Sequence, residues 1–376
     1  MAAGCAGGTR RVWNLAPTGR LRMRHFLFVA SLVGLIAGCR HVPEAAETKQ
    51  TPHWEAMPAL PSARSNNAVG AIHTSGGTAI VSALGLAPGK QWTDVMSDAW
   101  RLDGSTWAPL PAVPGPGRLA SVALGVDDEL LLIGGYTVAE DHTEVSRPGI
   151  DIWSSSTDAW SVGPTMPVPV DDAVAAVWRD RWVVLVSGWS NDDNVSAVQL
   201  LDLQDRSWIE ATPIPGAAVF GHAGALWDDT LVYCDGVRVV PATEDAKRSF
   251  VANAGCYLGQ LGDDVGQIDW RPLPPHPGPA RYRMAAGAAH GLIVFAGGTD
   301  NPYNYDGVGY DGRPSEPTNT VFAWDVAAQR WVDLPPLPEP SMDHRGLVNV
   351  DGSLVLVGGL DGQREPTSRV WRLVGL

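Results

Sequence analysis

The sequence predicts an all-β chain folded as a six-bladed β-propeller. Three observations predict it. A tryptophan just ahead of a proline corner recurs at Trp54, Trp107, Trp160, Trp208, Trp270 and Trp331, at intervals of 53, 53, 48, 62 and 61 residues. A strand-ending glycine recurs at Gly85, Gly135, Gly188, Gly236, Gly298 and Gly359, at intervals of 50, 53, 48, 62 and 61. The two series stretch and shrink together, so they mark one repeating unit. Within each unit, short apolar runs alternate with turn signals, and no stretch holds a sustained helical period. Four strands in a unit of roughly 50 residues select a propeller.

In the second unit, strand a is read over 119–125, b over 129–133, c over 149–154, and d from Trp160, with a tight a–b turn at Asp127-Asp128. Runs such as LVLVGG and WVVLVSG suit inner strands buried on both faces. The glycine doublets let the backbone turn where a Cβ would clash. The large Trp opening strand d is read as filler for the wedge between blades. Proline fixes the exit and has no N–H to satisfy. Trp100, Trp153, Leu201 and Trp324 each lie seven residues before a repeat Trp, whereas Tyr257 lies thirteen before Trp270. The sixth unit lacks a strand d, and the Trp54 segment precedes the first strand a. The expected closure therefore places the Trp54 strand in the last blade, which removes both open edges.

Residues 1–38 read as a targeting segment. Arg20, Arg22 and Arg24 precede an apolar run over 26–36, too short to span a bilayer permanently. Met23 is an alternative start. Leu35-Ile36-Ala37-Gly38-Cys39 resembles a bacterial lipobox, with Cys39 as the lipidated residue; an ordinary signal peptide is the other reading. Residues 39–53 form a tether and 54–376 the propeller. Arg40 after the lipidated Cys favours the outer membrane, facing the periplasm or the surface. The net charge is −14, and without the five arginines of 1–38 it is −19, from 22 basic against 41 acidic groups. That excludes nucleic acid and electrostatic docking on an anionic membrane as the main business of the chain. Cys234 and Cys256 fall in consecutive strands of unit four. They form a cross-strand disulfide in an oxidising compartment, or else remain two partly buried thiols. Their spacing offers no zinc site.

An Arg, a Gly doublet seventeen residues on, an aromatic, then Trp and a proline corner together resemble the Kelch repeat. Arg118 to Gly135 and Arg281 to Gly298 fit that offset; Asp171, Val219 and Met342 depart from it. The resemblance covers about 320 residues and implies a rigid scaffold with variable loops.

Alternating strand direction puts the long b–c loops, at 136–148, 189–196, 237–254, 299–320 and 360–368, on one face with the starts of the a strands. Long loops on a rigid scaffold are where binding concentrates. Arg118, Asp171, Arg281, Arg283, Asp343, His344 and Arg345 are expected to gather there. In the 299–320 loop, Tyr303, Tyr305 and Tyr310 with Asn301, Asn304, Asp306 and Asp311 suit a sugar, whose faces stack and whose hydroxyls pair. A self-packed loop is the alternative. Tyr303, Tyr305 and Asp306 are taken as ligand-binding candidates with Arg118, Arg281, Arg283 and Arg345.

No hydrolase elbow, zincin helix or phosphate loop occurs, and no cofactor or metal is implied. Kelch propellers include galactose oxidase, whose copper site needs a Tyr linked to a Cys. Here Cys39 lies outside the propeller and Cys234 and Cys256 lie in strands. The chain is also similar to the periplasmic sialic acid mutarotase family, with six blades and a long, Tyr- and Asn-rich fifth b–c loop. That family's catalytic Glu would follow the strand-ending glycine of blade 4, where this chain reads Gly236-Val237-Arg238. Glu244 and Asp245 are the nearest substitutes. Two functions follow. One is a monomeric, lipid-anchored propeller that binds a carbohydrate or protein ligand. The other is a mutarotase or epimerase of an acidic sugar, with His344 or Asp343 as acid/base and Arg281, Arg283 and Arg345 gripping the carboxylate.

Overall fold

The computed structural model describes residues 51–244 and 246–376. The segment read as a leader, Cys39, the expected tether up to residue 50 and Asp245 lie outside the described residues.

Six four-stranded antiparallel sheets succeed one another along the chain. Five are each built from one continuous stretch of chain, with a separate two-stranded hairpin between the second and third strands in blades 2, 3 and 4. In blade 2, Val122–Val126, Glu129–Ile133, Ile150–Ser154 and Ala159–Val162 pair in that order. The sixth is closed by the two ends of the described chain. His53–Ala56 pairs with Val370–Val374, which continues through Ser353–Val357 to Val348–Val350. Trp54 stands opposite Leu373, as the missing strand d requires. Strand a of blade 2 begins three residues later than its apolar run. The segment before it peels away from the sheet, Leu119 bridging to Tyr136 and Ala120 turning to φ 57°.

Apolar burial falls between blades. Six separate clusters of buried side chains each join neighbouring sheets, such as Leu132 and Trp153 of blade 2 with Val81 and Ala99 of blade 1, or Leu356 and Leu373 of blade 6 with Val294 and Ala323 of blade 5. Trp153 and Trp324, on c strands, are fully buried in this way.

The repeat Trp behaves differently from the expected wedge filler. All six are only half-buried. Five donate the indole N–H to a backbone carbonyl at the proline corner of the preceding blade: Trp107 to Pro58, Trp160 to Pro111, Trp270 to Thr212, Trp331 to Pro274 and Trp54 to Pro335, all at 2.8–3.1 Å. An indole has one donor and a large apolar body, so it can seal an edge while satisfying a carbonyl. In blade 4 the residue facing Trp270 is Gly259, not Tyr257. A Cβ there would lie 2.5 Å from the indole, so the longer turn goes with a glycine that makes room for the ring.

The doublets have two distinct tasks. The first glycine meets the next blade: a Cβ on Gly134 would lie 2.2 Å from the Val170 carbonyl, and one on Gly297 2.3 Å from that of Ser341. The second turns the chain at positive φ against its own blade's opening segment. In two of the three blades where the first position is not glycine, a polar side chain there is tied down. Ser187 (φ 55°) donates its hydroxyl to the carbonyls of Val195 and Val219. Asp235 (φ 62°) accepts from the backbone N–H of Arg281 and from His276.

Candidate functional site

Just before strand a, each blade places one residue in the left-handed backbone region: Asn66, Ala120, Asp172, Gly221, Arg283 and Asp343, with φ between 49° and 68°. These six are linked in a circle. Asp172 N–H donates to the Ala120 carbonyl, Gly221 to Asp172, Arg283 to Gly221 and Asn66 to Asp343, at 2.8–3.1 Å. The remaining gaps are closed by His344 N–H to the Arg283 carbonyl (3.3 Å) and by Ala120 N–H to the Asn66 side-chain oxygen (2.5 Å). Asn, Asp and Gly tolerate this conformation; Arg283 and Ala120 hold it at a cost of order 1 kcal/mol each. The residue before each of the six bridges to the residue after the strand-ending glycine, as in Asp171 with Trp189 and Phe220 with Val237.

Four of the side chains around this ring form a buried ion cluster. Arg283, 2% exposed, donates to Asp172 (2.6 Å), to Asp343 (3.1 Å) and to the Asn304 carbonyl. Its guanidinium lies over the rings of Tyr282 and Tyr303, at 4.7 and 5.2 Å. Arg345 approaches Asp172 (2.9 Å) and Asp343 (3.5 Å) without hydrogen-bond alignment, and donates to Asn66 Oδ1 and the His344 carbonyl. Burial disfavours ionisation of Asp172, but Arg283 and Arg345 outweigh it and hold the carboxyl below its usual range. Two cations face two anions, so the cluster is charge-balanced, as burial requires.

Asp172 lines two cavities. On the channel side lies a space of about 280 Å3, walled by the a strands and by His222, His344, Arg345 and Asn349. On the b–c loop side lies one of about 200 Å3. Its walls come from four blades. Tyr136 and Glu144 stand on the two arms of the Tyr136–Val138 and Glu144–Ser146 hairpin of blade 2. Asp171 and Trp189 belong to blade 3, Phe220 and Phe250 to blade 4, Asn304 and Tyr310 to the long loop of blade 5. Trp189, Phe220 and Phe250 lie 5.4–6.0 Å apart, and Tyr310 stacks on Phe250 at 4.3 Å. Two carboxyls line the same cavity. Glu144 accepts from Asn304 Nδ2 (2.7 Å) and Asp171 from the Ser146 hydroxyl (2.5 Å). Burial raises both above the usual carboxylate range, Asp171 strongly, where the charge of Asp172 adds to the effect. Two carboxyls that hold their protons more readily, beside an aromatic wall, can bind a hydroxylated ring and exchange protons with it.

The sequence candidates divide. Arg283, Arg345, Asp343 and Tyr303 do meet at the ring, but as its packed floor. Asp343 is fully buried and bonded to Arg283 and to Asn66 Nδ2 (3.1 Å). That removes it as an acid/base group. His344 is buried on the channel side with Nε2 2.9 Å from the Ser341 hydroxyl. Burial and the adjacent Arg345 push its pKa down to about 3, and it does not line the loop-side cavity. Arg118 pairs with Asp151 (2.5 Å) in a separate cleft at the edge of blade 2. Arg281 points to Thr320 (3.5 Å), as Arg64 does to Asp98 (2.6 Å), so these arginines pin strand c of their own blades. Tyr305 packs with Leu86, Leu119 and Tyr136, and exposed Asp306 accepts a backbone N–H within its loop. The 299–320 loop thus packs Tyr303 and Tyr305 against other blades, and of its residues Asn304 and Tyr310 line the cavity. Val237 is buried, and Arg238 and Glu244 are exposed and do not line the cavity, so among the described residues no carboxyl reaches it from the blade-4 hairpin. The residues that sequence reasoning missed are Glu144, Asp172, Trp189 and Phe250. The only signal was their position in or beside the long loops.

Cys234 and Cys256 are opposite each other on adjacent strands of blade 4 and form a disulfide. Asp235, Cys256 and His276 lie close together, but the sulfur is consumed by the disulfide and Asp235 is taken by backbone donors and His276. They make no metal centre.

A ring of six four-stranded blades, closed by its first strand and carrying a cavity at its loop face, defines a six-bladed Kelch-type β-propeller. The comparisons agree. No family model matches the chain. It is 24% identical over 351 residues to the Kelch-like protein terF of Aspergillus terreus, covering 88% of this chain and 69% of that one. It is 21% identical over 351 residues to an N-acetylneuraminate epimerase of Salmonella arizonae, covering 81% and 86%. It spans 38–65% of the length of mammalian Kelch-named relatives. The solved structure of YjhT superposes with a TM-score of 0.68 at 14% identity, covering 84% of this chain and 96% of that one.

Proposed function

We propose that this propeller is an exported, lipid-anchored binding protein that takes a carbohydrate in the cavity at its b–c loop face. One observation carries the reading: an aromatic wall of Trp189, Phe220, Phe250 and Tyr310 shares a cavity of about 200 Å3 with carboxyl and amide groups. Sugars offer an apolar face to stack and hydroxyls to pair, and pockets that hold them combine these two surfaces. The volume is at the small end for ligand sites, which suits one sugar ring. Saturation-transfer NMR with a panel of neutral and charged monosaccharides tests it. Transfer to one of them, lost in Phe250→Ala and in Tyr310→Ala, supports the reading. No transfer from any saccharide sinks it and turns attention to a protein partner on the same loops.

Export is supported by the leader pattern of residues 1–39 and by the disulfide, which suits an oxidising compartment. Anchoring through Cys39 predicts palmitate incorporation; labelling that persists in Cys39→Ala would refute it.

A second reading is conversion of sugar anomers or epimers, with an acidic sugar such as sialic acid as substrate. Glu144 and Asp171, both with raised pKa, face one cavity and are placed to exchange protons with a ligand. The 21% likeness to an N-acetylneuraminate epimerase also favours it. Against an acidic substrate, both arginines at the ring are already committed to Asp172 and Asp343. Exchange NMR of sialic acid anomers decides the matter: no acceleration by the protein removes this reading.

A further inference from the structure

We infer that the loop-side cavity selects a protonated amine, so that its ligand is an amino sugar and not an acidic or neutral one. The inference rests on the carbohydrate reading above and specifies it.

The first ground is charge. Arg283 is the cation nearest the cavity, and both its terminal nitrogens are bonded to Asp172, Asp343 and the Asn304 carbonyl. Arg345 is turned to the same two aspartates from the channel side. These four charges cancel. What remains in the cavity wall is Glu144, which accepts from Asn304, and Asp171, which accepts from the Ser146 hydroxyl and is held toward its protonated form by burial and Asp172, so that Glu144 carries the surplus. The surplus is acidic. A carboxylate ligand would be repelled there, and an ammonium group would complete the set.

The second ground is the aromatic wall. Ring faces carry negative quadrupole potential and attract cations within about 6 Å. Two of these rings already do so within the chain: the Arg248 guanidinium lies 5.0 Å from Trp189 and 5.5 Å from Phe250. Carboxyls and aromatic rings in one cavity lining suit a cationic group.

The third ground is an unfilled hydrogen bond. Tyr136, 4% exposed, lines the cavity, and its hydroxyl has no partner. Buried hydroxyls are normally paired. A ligand hydroxyl beside the amine would satisfy it, which specifies an amine carried on a hydroxylated ring.

The test is isothermal titration of the purified full chain with matched probes at pH 7: D-glucosamine, D-galactosamine and D-mannosamine, their parent hexoses, and glucuronate and galacturonate. At least one amine should bind about tenfold or more tighter than its parent hexose, with the uronates weaker still. Glu144→Gln should reduce that preference to within about twofold, read as the ratio of amine to parent-hexose affinity in the same variant. Tyr136→Phe should weaken amine and hexose alike. Equal binding of amines and parent hexoses would overturn the inference and leave the carbohydrate reading standing, and so would preferred binding of a uronate. Binding of no saccharide would overturn both.

Discussion

Trp54 donates its indole N–H to the carbonyl of Pro335, 281 residues further along the chain, at 2.9 Å. It is one of five such indole clamps between successive blades, and it spans the junction between blades 5 and 6. The His53–Ala56 strand that carries it is the outer strand of blade 6 among the described residues. Trp54→Phe keeps much of the half-buried ring and loses the hydrogen bond, so it should cost about 1 kcal/mol. Trp54→Ala loses both, for about 2–3 kcal/mol. Guanidinium unfolding followed by tryptophan fluorescence reads both. If Trp54→Ala unfolds at the wild-type midpoint, the clamp has no part in closing the ring.

Arg283 and its two aspartates should behave as a unit. Arg283→Met leaves Asp172 and Asp343 buried with only Arg345 to balance them, and breaking a buried ion cluster on one side costs about 3–5 kcal/mol. Neutralising one aspartate in the same chain, as Arg283→Met with Asp343→Asn, leaves Arg345 facing Asp172 and should recover much of that loss, whereas neutralising Asp172 as well strands Arg345 and should lose it again. The expected signature is therefore strong non-additivity, read from urea midpoints of the single, double and triple variants. Additive losses would show that the cluster is not charge-balanced as described.

Much of this architecture is legible in the residues because its causes are local. A doublet such as Gly297-Gly298 is forced by positive φ and by backbone packed within 3 Å of where a Cβ would be, and a positive-φ glycine recurs at the second position in every blade. The Trp series marks real inter-blade contacts, although the rings sit at the edge and the wedge itself is filled by residues such as Trp153. The site is less legible because it is made by closure. Glu144, Trp189, Phe250 and Tyr310 come from four loops spread over about 170 residues, and nothing near each one signals the others. The ring of left-handed residues is hidden for another reason. Asn66, Asp172 and Gly221 suit that conformation, but Ala120 and Arg283 do not, so sequence spacing alone does not align the six. The arginines drew attention as carboxylate ligands; without the burial of Asp172 and Asp343 their internal partners were invisible.

Stability should fall on mild acidification because two buried histidines stay neutral in the fold. Burial pushes His222 down to about 4, where it donates to the Val186 carbonyl, and burial with Arg345 pushes His344 down to about 3. An unfolded histidine titrates near 6.5. Between pH 6.5 and about 4 the unfolded chain therefore binds protons that the native chain refuses. The stabilisation is complete above 6.5 and declines as pH falls toward those folded values. Each histidine contributes a slope of up to about 1.4 kcal/mol per pH unit. His276 works in the opposite sense. Burial opposes its protonation, but Asp235, 2.9 Å away, raises it above 6.5, so its contribution is full below 6.5 and lost as pH rises through the folded value. Asp171 also opposes the trend, since a raised carboxyl stabilises the fold at low pH and loses that effect as pH rises through its folded value. Urea unfolding at half-unit steps from pH 7.5 to 4.5 should show midpoints dropping below pH 6.5. The His222→Gln/His344→Gln variant should show a visibly flatter profile. An equal slope in the variant would mean that both rings accept protons in the native state, contrary to their burial against the ring of blades.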